Sequence, residues 1–332
     1  MTKQPGLMSI GEALATIMAD INCLLDTERI PLQQAHGRVL AADLQAQVNV
    51  PPADNSAMDG YALRMADLTS RVIPVSQRVA AGQVPQPLQP GTCARIFTGA
   101  EVPEGAELVV MQEQTKLLDE GVQVLGEHQS GAFIRRVGQD VEQGSLVLTR
   151  GSLLSPRHMG VLASIGIDRV TVYRRLKVAI LSTGSELVNP GTRLQAGQIY
   201  NSNSFQLAGL LAQLGVDLVD LGTIGDDAGT TRDALSKAAS QADVVITSGG
   251  VSVGEEDYVK SSVAALGALD VWKLAIKPGK PLAFGHVANT PFFGLPGNPA
   301  SVLVTFMALV KPYLLAQQGV IGNTDYSFPA QL

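Results

Sequence analysis

Residues 242–258 read Ala-Asp-Val-Val-Ile-Thr-Ser-Gly-Gly-Val-Ser-Val-Gly-Glu-Glu-Asp-Tyr, and this stretch decides the fold. Its apolar run, 244–247, is typical of a buried strand. The glycine-rich loop 248–254 follows, and the carboxylates of 255–257 open the next helix. Backbone N–H groups exposed by glycines and a helix N-terminus attract anions, whereas carboxylates repel a phosphate unless a divalent cation lies between them. The stretch therefore predicts a metal–phosphate site at the carboxyl end of a strand.

The composition is that of an ordinary globular protein. The 332 residues are 45% apolar and 16% charged, a length that indicates about two domains at roughly 150 residues each. The net charge of −6 argues against binding to nucleic acid or to an anionic membrane. The first residues, Met-Thr-Lys-Gln-Pro-Gly, lack the apolar core of a signal peptide, and the longest strongly apolar run, 302–310, is shorter than the ~20 residues of a spanning helix. Two distant cysteines, Cys23 and Cys93, indicate reduced thiols in the cytoplasm.

Periodicity predicts an α/β domain over residues 176–318, where strands alternate with helices of about ten to fifteen residues, a pattern typical of a doubly wound, mostly parallel sheet. The predicted strands there are 176–181, 216–224, 244–247, 271–276, 282–284 and 292–295, and the predicted helices are 204–214, 230–241, 257–266 and 300–317. Residues 48–140, rich in proline, glycine and short strands, form a predicted β-rich module inserted into a mixed α/β region comprising 1–47 and 141–175. Residues 319–332 are a predicted tail.

Within the N-terminal region, Ser9 and Glu12 form a capping-box pattern that begins a predicted helix over 9–25. A strand around residues 38–44 follows this helix, and another helix begins at Ser155-Pro156 and ends near Gly166. The predicted strands of the β-rich module and its flank are 72–75, 94–97, 108–111, 122–125 and 145–148.

Ligands of an open α/β sheet bind outside the carboxyl ends of its strands, so the loop after each strand carries the candidate site. Three of these loops bear carboxylates suited to Mg²⁺, one bears two lysines between prolines, and one begins the last helix. The residues are Glu186, Asp226, Asp257, Lys277, Lys280 and the run Pro296-Gly297-Asn298-Pro299. Together they favour phosphoryl or anhydride chemistry. Each loop alone is typical of an ordinary turn or helix start, and Asp226-Asp227 alone of a helix N-cap; the hypothesis depends on all five sharing one edge.

The β-rich module has its own marker, Asp-Asn-Ser-Ala-Met-Asp-Gly-Tyr-Ala at 54–62, which is either an Asx-rich turn or part of a site. Thr98-Gly99 is a possible hydroxyl and turn pair. Arg135-Arg136, near Asp140, either supplies positive charge or belongs to a solvated hairpin. The four histidines show no metal-ligand spacing.

These motifs together resemble one family, the molybdopterin molybdenumtransferases, known as MoeA in bacteria and as the E domain of gephyrin in animals. The motifs are Pro-Ala-Asp-Asn-Ser-Ala-Met-Asp-Gly-Tyr-Ala (52–62), Arg-Ile-Phe-Thr-Gly-Ala (95–100), Arg-Arg-Val-Gly-Gln-Asp (135–140), Ser-Thr-Gly-Ser-Glu-Leu (182–187), Thr-Ser-Gly-Gly-Val-Ser-Val-Gly (247–254), Lys-Leu-Ala-Ile-Lys-Pro-Gly-Lys-Pro (273–281) and Leu-Pro-Gly-Asn-Pro-Ala-Ser (295–301). The resemblance covers residues 8 to about 318.

The resemblance implies a reaction in which adenylylated molybdopterin is hydrolysed, AMP leaves and molybdenum from molybdate enters the dithiolene, with Mg²⁺ assisting. It implies catalytic roles for Asp257, Asp59, Thr98 and Lys273, and metal binding by Glu186, Asp226 and Asp257. Lys277, Lys280 and Ser301 would hold molybdate. The substrate-binding residues would be Ser248, Gly249, Gly250, Ser252, Gly254, Asp140, Pro296, Gly297, Asn298 and Pro299.

The resemblance also implies partners: a homodimer, with Asp59, Thr98 and Asp140 reaching the site of the other subunit, and contact with the molybdopterin adenylyltransferase. Members usually end in a small β-domain, which would begin where this sequence stops, so the chain is expected either to be a fragment or to lack that domain. Two alternatives remain open: the preceding ATP-dependent adenylylation of molybdopterin, whose enzymes normally lack the first 175 residues, and a non-catalytic gephyrin-like scaffold.

Overall fold

The computed structural model describes residues 7–21, 25–69, 71–250 and 258–322. The chain folds into two compact units. Unit 1 comprises Met1–Ala42, Arg150–Pro156 and Arg169–Leu332, and unit 2 comprises Asp43–Thr149 and Arg157–Asp168. The four-part domain division drawn from the sequence stays a prediction.

The helices and strands are numbered along the whole chain. The α-helices are α1 Ile10–Met18, α2 Pro156–Ser164, α3 Ser202–Gln213, α4 Ala228–Gln241, α5 Tyr258–Leu266, α6 Pro299–Thr305 and α7 Lys311–Gln317. The strands are β1 Thr27–Pro31, β2 Leu44–Gln45, β3 Asn55–Ser56, β4 Gly60–Leu63, β5 Val75–Val79, β6 Cys93–Ile96, β7 Leu108–Met111, β8 Thr115–Leu118, β9 Gly121–Val124, β10 Ile134–Arg135, β11 Leu146–Leu148, β12 Arg169–Tyr173, β13 Lys177–Thr183, β14 Leu187–Val188, β15 Ile199–Tyr200, β16 Asp217–Ile224, β17 Val244–Ser248, β18 Gly267–Lys273, β19 Pro281–Val287 and β20 Thr290–Leu295.

Unit 1 is built on a six-stranded sheet in the order β16-β13-β17-β20-β19-β18. The first four strands are parallel, and β19 runs antiparallel to both of its neighbours. The central strand β17 is buried along its whole length, as expected for a parallel strand covered on both faces. The predicted doubly wound, mostly parallel sheet is therefore confirmed.

Helices cover both faces of this sheet. One core packs α1, α3 and the last helix against residues such as Val178, Ile246 and Phe293. The other packs α4 and α5 against alternate residues of the same strands, including Ala179 and Val245. Because successive strand residues point to opposite faces, the continuous apolar runs of the sequence supply both cores.

The last helix runs over Pro299–Gln317, with a π-helical segment, Phe306–Val310, joining α6 to α7. It is long and apolar enough to cross a membrane by length and composition, but half of its most apolar window is buried inside the structure. Phe306, Val310 and Tyr313 are buried in the core beneath the sheet. The helix thus packs as a core helix.

Helix α1 begins as predicted, because Ser9 and Glu12 form both hydrogen bonds of a capping box. The predicted end at Leu25 is wrong, since the helix ends at Met18. A turn follows, and the carboxylate of Asp20 accepts hydrogen bonds from other parts of unit 1. The chain therefore leaves the helical path although apolar residues continue at helical spacing.

Several predicted strand boundaries differ from those observed. The predicted strand 38–44 is reduced to isolated bridges at Val39 and Leu40 and the short strand β2. In place of the predicted strand 72–75, the structure has β5 at Val75–Val79. The predicted strand 271–276 corresponds to β18, which begins and ends earlier, at Gly267–Lys273. Pairing partners decide these boundaries: β18 pairs residue by residue with β19, from Gly267–Val287 to Lys273–Pro281.

Unit 2 is rich in strands, with a four-stranded sheet in the order β5-β6-β4-β7. One face packs Tyr61, Cys93 and Val110, and the other packs Ala62, Ala94 and Ile96. Burial raises the pKa of the Cys93 thiol to about 12, so this cysteine is an unreactive, protonated core residue.

Candidate active site

Strand register places the loops after β13, β16, β17, β18 and β20 at one edge of the unit 1 sheet. Ser182 is paired with Ser248, and Ser248 with Leu295, at the ends of three parallel strands. At the antiparallel side, Lys273 at the end of β18 is paired with Pro281 at the start of β19. The five loops singled out in the sequence therefore meet at a common edge, as predicted.

Two neighbouring aspartates at this edge make different contacts. Asp227 is the N-cap of α4 and accepts hydrogen bonds from the Thr230 amide at 2.7 Å and its hydroxyl at 2.8 Å, which lower the pKa of Asp227. Asp226 instead accepts a 2.9 Å bond from the Ser185 amide, while its own amide donates to Ser185 Oγ at 3.1 Å. Asp227 is thus the helix N-cap that the sequence predicts, whereas Asp226 is hydrogen-bonded to the loop after β13.

Glu186 lies on that same loop, one residue after Ser185, and is exposed. Its carboxylate lies over Gly184, where a Cβ would stand 2.4 Å from Glu186 Oε2. Gly184 also has a φ of +147°, which disfavours any other residue there, whereas the exposed Glu186 side chain could move aside. The loop therefore keeps the Glu186 carboxylate close to the sheet edge, beside the turn that holds Asp226.

The two described glycines after β17 are required by their backbone and by their neighbours. Gly249 and Gly250 have φ values of +91° and +67°. A Cβ on Gly250 would lie 2.4 Å from Val259 Cγ2 and 2.9 Å from Thr183 Oγ1. The loop begins tightly packed between β13 and α5. The predicted site residues Ser252, Gly254 and Asp257 lie outside the described residues.

A buried polar network at the same edge is not predicted by the sequence motifs. Ser182 Oγ lies 3.1 Å from Ser248 Oγ and 3.4 Å from Asn201 Oδ1, and Asn201 Nδ2 donates to Thr223 Oγ1 at 3.0 Å. Asn201 also caps α3 by accepting from the Ser204 amide. The sequence indicates this network only weakly, through hydroxyl residues at two strand ends and an Asn-Ser-Asn-Ser run at 201–204.

The lysine-bearing loop between β18 and β19 packs against α6. A Cβ on Gly279 would lie 2.9 Å from Thr305 Oγ1 and 3.6 Å from the Ser301 carbonyl oxygen. Lys273, Lys277 and Lys280 are exposed, whereas Ser301 is buried. None of the three ammonium groups forms an ion pair with the residues that the structure describes. The loop therefore brings uncompensated positive charge to the sheet edge.

The run 296–299 connects β20 to α6. Asn298 caps the helix by accepting from the Ser301 amide at 3.2 Å, and Pro299 occupies its first turn, as the sequence predicts. The Gly297 carbonyl accepts a 2.8 Å bond from Asn203 Nδ2, while Asn203 Oδ1 is buried with no partner among the described residues. Pro296 is buried, and Gly297 is exposed.

In unit 2, Asp59 and Thr98 are in direct contact. Asp59 Oδ1 accepts 2.7 Å hydrogen bonds from both the amide and the hydroxyl of Thr98, and these bonds hold the pKa of Asp59 below its ordinary value. Asp140 forms an ion pair with Arg135, and Arg136 pairs with Asp54. The 54–62 segment is thus both a turn and the carrier of an ionised carboxylate.

The carboxylates of Glu186 and Asp226 suit Mg²⁺, which takes one or two carboxylates and keeps several waters. Both are exposed, and Asp226 Oδ1 has no hydrogen-bond partner within the described ranges. No group of three His, Cys, Asp or Glu side chains able to hold a metal occurs among those residues, and the third predicted ligand, Asp257, lies outside them. The carboxylate oxygens of Glu186 and Asp226 are the kind of ligand that Mg²⁺ binds.

Comparison with known proteins identifies the class. A family model described as the MoeA N-terminal region, domains I and II, matches residues 8–166, and one described as a probable molybdopterin binding domain matches residues 179–316. The crystal structure of the molybdopterin biosynthesis moeA protein from Pyrococcus horikoshii OT3 has a TM-score of 0.79 and 32% identity, covering 95% of this chain and 80% of that one.

Named relatives make the assignment specific. The molybdopterin molybdenumtransferase of Haemophilus influenzae is 45% identical over 316 residues, which cover 94% of this chain and 78% of the relative. That of a Nostoc species is 40% identical over 339 residues, covering 98% and 78%. The chain therefore belongs to the molybdopterin molybdenumtransferase family, an enzyme family of transferases, and the resemblance read from its motifs is confirmed.

Proposed function

We propose that this chain inserts molybdenum into molybdopterin in molybdenum cofactor biosynthesis. Water cleaves the phosphate–phosphate bond of adenylylated molybdopterin, AMP leaves with one phosphate, and molybdopterin keeps the other. Molybdenum from molybdate then bonds to the two dithiolene sulfurs, and the molybdate oxygen that they displace leaves as water with the two thiol protons. Family membership supports the class of reaction, since the named relatives are molybdopterin molybdenumtransferases.

The reciprocal hydrogen bonds between Ser185 and Asp226 carry this proposal. They join the loops after β13 and β16, so that Glu186 and Asp226 belong to one polar edge together with the glycine loop after β17. A site for anhydride cleavage needs such oxygen ligands beside a phosphate-binding backbone.

Mg²⁺ would be held by Glu186 and Asp226, with Asp257 as the third ligand predicted from the sequence. The ion, when bound, supplies Lewis-acid stabilisation of charge on phosphate oxygens. Ser185 orients Asp226 through its amide and its hydroxyl. The exposed Lys277 and Lys280 attract molybdate, and Lys273 lies at the end of the adjoining strand. The Gly249 N–H already donates to the Leu295 carbonyl at 3.0 Å, so of the two described glycines Gly250 is the one whose N–H would bind phosphate.

A homodimer is part of the proposal, as is contact with the adenylyltransferase that makes the substrate. Exposed apolar side chains on α3 and on the last helix support an interface: Phe205 is 59% exposed, Met307 44% and Leu303 39%. In the dimer, Asp59, Thr98 and Asp140 would complete the site of the other subunit. A buried, unpaired Cys93 supports a cytoplasmic protein.

The test uses two neighbouring aspartates that differ only in their contacts. In the presence of Mg²⁺ and molybdate, we expect Asp226→Asn to reduce AMP release from adenylylated molybdopterin by about 100-fold, by loss of a metal ligand. Asp227→Asn is the matched control and should keep the wild-type rate, because asparagine also caps helices. Equal rates for Asp226→Asn and wild type would contradict the proposal.

The same assay separates the alternatives. Consumption of ATP with unadenylylated molybdopterin would indicate the preceding adenylylation step. Tight binding of substrate without AMP release, at any molybdate concentration, would indicate a scaffold. Release that depends on molybdate is the outcome expected of the insertion reaction.

A further inference from the structure

Unit 2 contains two arginines that lie opposite each other on neighbouring strands. Arg78 on β5 is paired in register with Arg95 on β6. Both point away from the face that buries Val79 and Ile96, because residues alternate along each strand. Like charges placed directly opposite one another repel, so this arrangement costs stability unless something compensates it.

The compensation within the chain is incomplete. Arg95 donates to the Gly60 carbonyl at 3.2 Å and to Gln112 Oε1 at 2.6 Å, and Arg78 has no polar partner among the described residues. Neither guanidinium forms an ion pair with a described carboxylate. Arg95 reaches Glu113 only through the Gln112 side chain that lies between them. The surface therefore keeps net positive charge in a chain of net charge −6.

Aromatic rings hold the two guanidiniums in place. Arg78 lies 4.5 Å and Arg95 4.8 Å from the centroid of the same ring, Phe97, and Arg95 lies 5.1 Å from the centroid of Tyr61. Stacking on a ring leaves the N–H edge of Arg78 free to form paired hydrogen bonds with an oxyanion, whereas Arg95, which already donates from both terminal nitrogens, adds its charge and its remaining N–H groups. The rings thus orient the arginines without neutralising them.

This pair adjoins the predicted catalytic residues of unit 2. Phe97 directly precedes Thr98, whose amide and hydroxyl bind Asp59. Arg95 adds to the lowering of the Asp59 pKa, after the two hydrogen bonds from Thr98. The nearby Asp59 carboxylate therefore balances part of the positive charge, and two guanidiniums against one carboxylate leave an excess of about one charge.

We propose that Arg78 and Arg95, stacked on Phe97, form an oxyanion-binding site beside Asp59 and Thr98. Its ligand is a tetrahedral oxyanion, either a phosphate of the nucleotide-bearing substrate or molybdate itself. The identity of the oxyanion rests on the proposed function, whereas the site itself rests on the charge and stacking geometry. Arg78 is exposed and therefore makes the first contact with the ligand.

The test is calorimetric titration of the full chain, without Mg²⁺, in a Lys277→Gln/Lys280→Gln background that removes the proposed lysine site. Inorganic pyrophosphate, AMP and molybdate are titrated separately, so that the source of the oxyanion is distinguished. We expect one of them to bind, and Arg78→Gln to weaken its affinity about tenfold, the effect of losing one charge-assisted hydrogen bond.

Two variants sharpen the result. Arg78→Lys keeps the charge but loses the planar fork, and should lie between wild type and Arg78→Gln. Arg157→Gln, an exposed arginine of the same unit, is the matched control and should bind as wild type does. Unchanged thermal unfolding would show that Arg78→Gln remains folded.

Absence of oxyanion binding in the Lys277→Gln/Lys280→Gln background, or equal affinity in Arg78→Gln and its parent, would overturn the proposed site. Either outcome leaves the proposed function standing if the wild-type chain releases AMP in a molybdate-dependent reaction. Failure of that assay together with Arg78-dependent binding of pyrophosphate would instead overturn the reaction and keep the site.

Discussion

At the scale of single residues, neighbours of the same type have different roles in this protein. Asp227 caps a helix, and Asp226 is bound to the turn that carries Glu186. The difference lies in their partners after β16: one carboxylate accepts from Thr230 in the first turn of α4, and the other from Ser185 in the loop after β13. A pair of acidic residues in a loop is therefore not a single functional signal.

Gly250 is a residue at which both conformation and packing demand glycine. We expect Gly250→Ala to lower the free energy of unfolding by about 2–3 kcal/mol, because its Cβ would overlap Val259 and the backbone has positive φ. Urea unfolding followed by the fluorescence of Trp272, the single tryptophan, measures the change in unit 1.

Gly197→Ala is the matched control. Gly197 has a φ of +82°, but its Cβ would meet nothing within 4 Å, so only the backbone cost of about 1 kcal/mol is expected. Similar losses in the two variants would mean that the close approach of Val259 and Thr183 to Gly250 does not matter for stability.

At the scale of elements, one ion pair ties together the starts of strands in the unit 1 sheet. Arg174 donates to both carboxylate oxygens of Asp243 at 2.7 Å, and Asp243 also accepts from the Lys177 amide at 2.7 Å. Asp243 precedes β17 and Lys177 begins β13, so the pair anchors two parallel neighbours at the edge opposite the candidate site.

This ion pair predicts a particular response to acid. Burial alone would raise the pKa of Asp243, but hydrogen bonds from Arg174 and the Lys177 amide lower it below the ordinary 3.8. The ionised form therefore stabilises the fold above about pH 4, and this contribution is lost as the pH falls through the lowered pKa of the folded state.

We expect Arg174→Gln to lower the free energy of unfolding at pH 7 by about 2 kcal/mol, since a partly buried carboxylate loses charged hydrogen bonds. The loss should shrink as the pH falls below 3.8, because protonated Asp243 no longer needs the arginine. Arg169→Gln is the control and should cost less, because within the described ranges the Arg169 guanidinium bonds only the Arg29 carbonyl. A loss that does not change with pH would contradict this account.

At the scale of the whole molecule, the predicted catalytic residues are divided between the two units. Unit 1 carries Glu186 and Asp226, and unit 2 carries Asp59 and Thr98. If each site combines unit 1 of one subunit with unit 2 of the other, two inactive variants can restore each other.

We therefore expect a mixture of Asp59→Asn and Asp226→Asn chains to release AMP much faster than either variant alone. After subunit exchange, the rate should approach about a quarter of wild type, because half of randomly mixed dimers are heterodimers with one intact site each. A mixture as inactive as its components would mean that each site is built from a single chain. Light scattering provides the independent check that the chains are dimeric.

Much of the fold follows from local sequence patterns. Continuous apolar runs separated by helical periodicity predict the buried strands β13 and β17 and the helices between them, because hydrophobic burial acts on every short segment. Capping residues such as Ser9, Asn298 and Pro299 mark helix starts for the same local reason. Parallel connectivity then places the polar loops at one edge.

Local sequence patterns do not predict features that depend on contacts between residues far apart in the chain. The ends of α1 and β18 are set by contacts with Asp20 and β19, which periodicity does not contain. The Ser182–Asn201 network and the stack of Arg78 and Arg95 on Phe97 join residues that have no fixed spacing in the sequence.

The sequence by itself thus determined the doubly wound sheet, the family and the set of loops that carry the candidate site, because burial and chain direction are encoded locally. Only the tertiary structure decided which aspartate is bonded to the Glu186 turn, which polar groups are buried at that sheet edge, and which arginines form no ion pair among the described residues. Hydrogen bonds and charge compensation depend on distances between segments, and those distances exist only once the strands have paired.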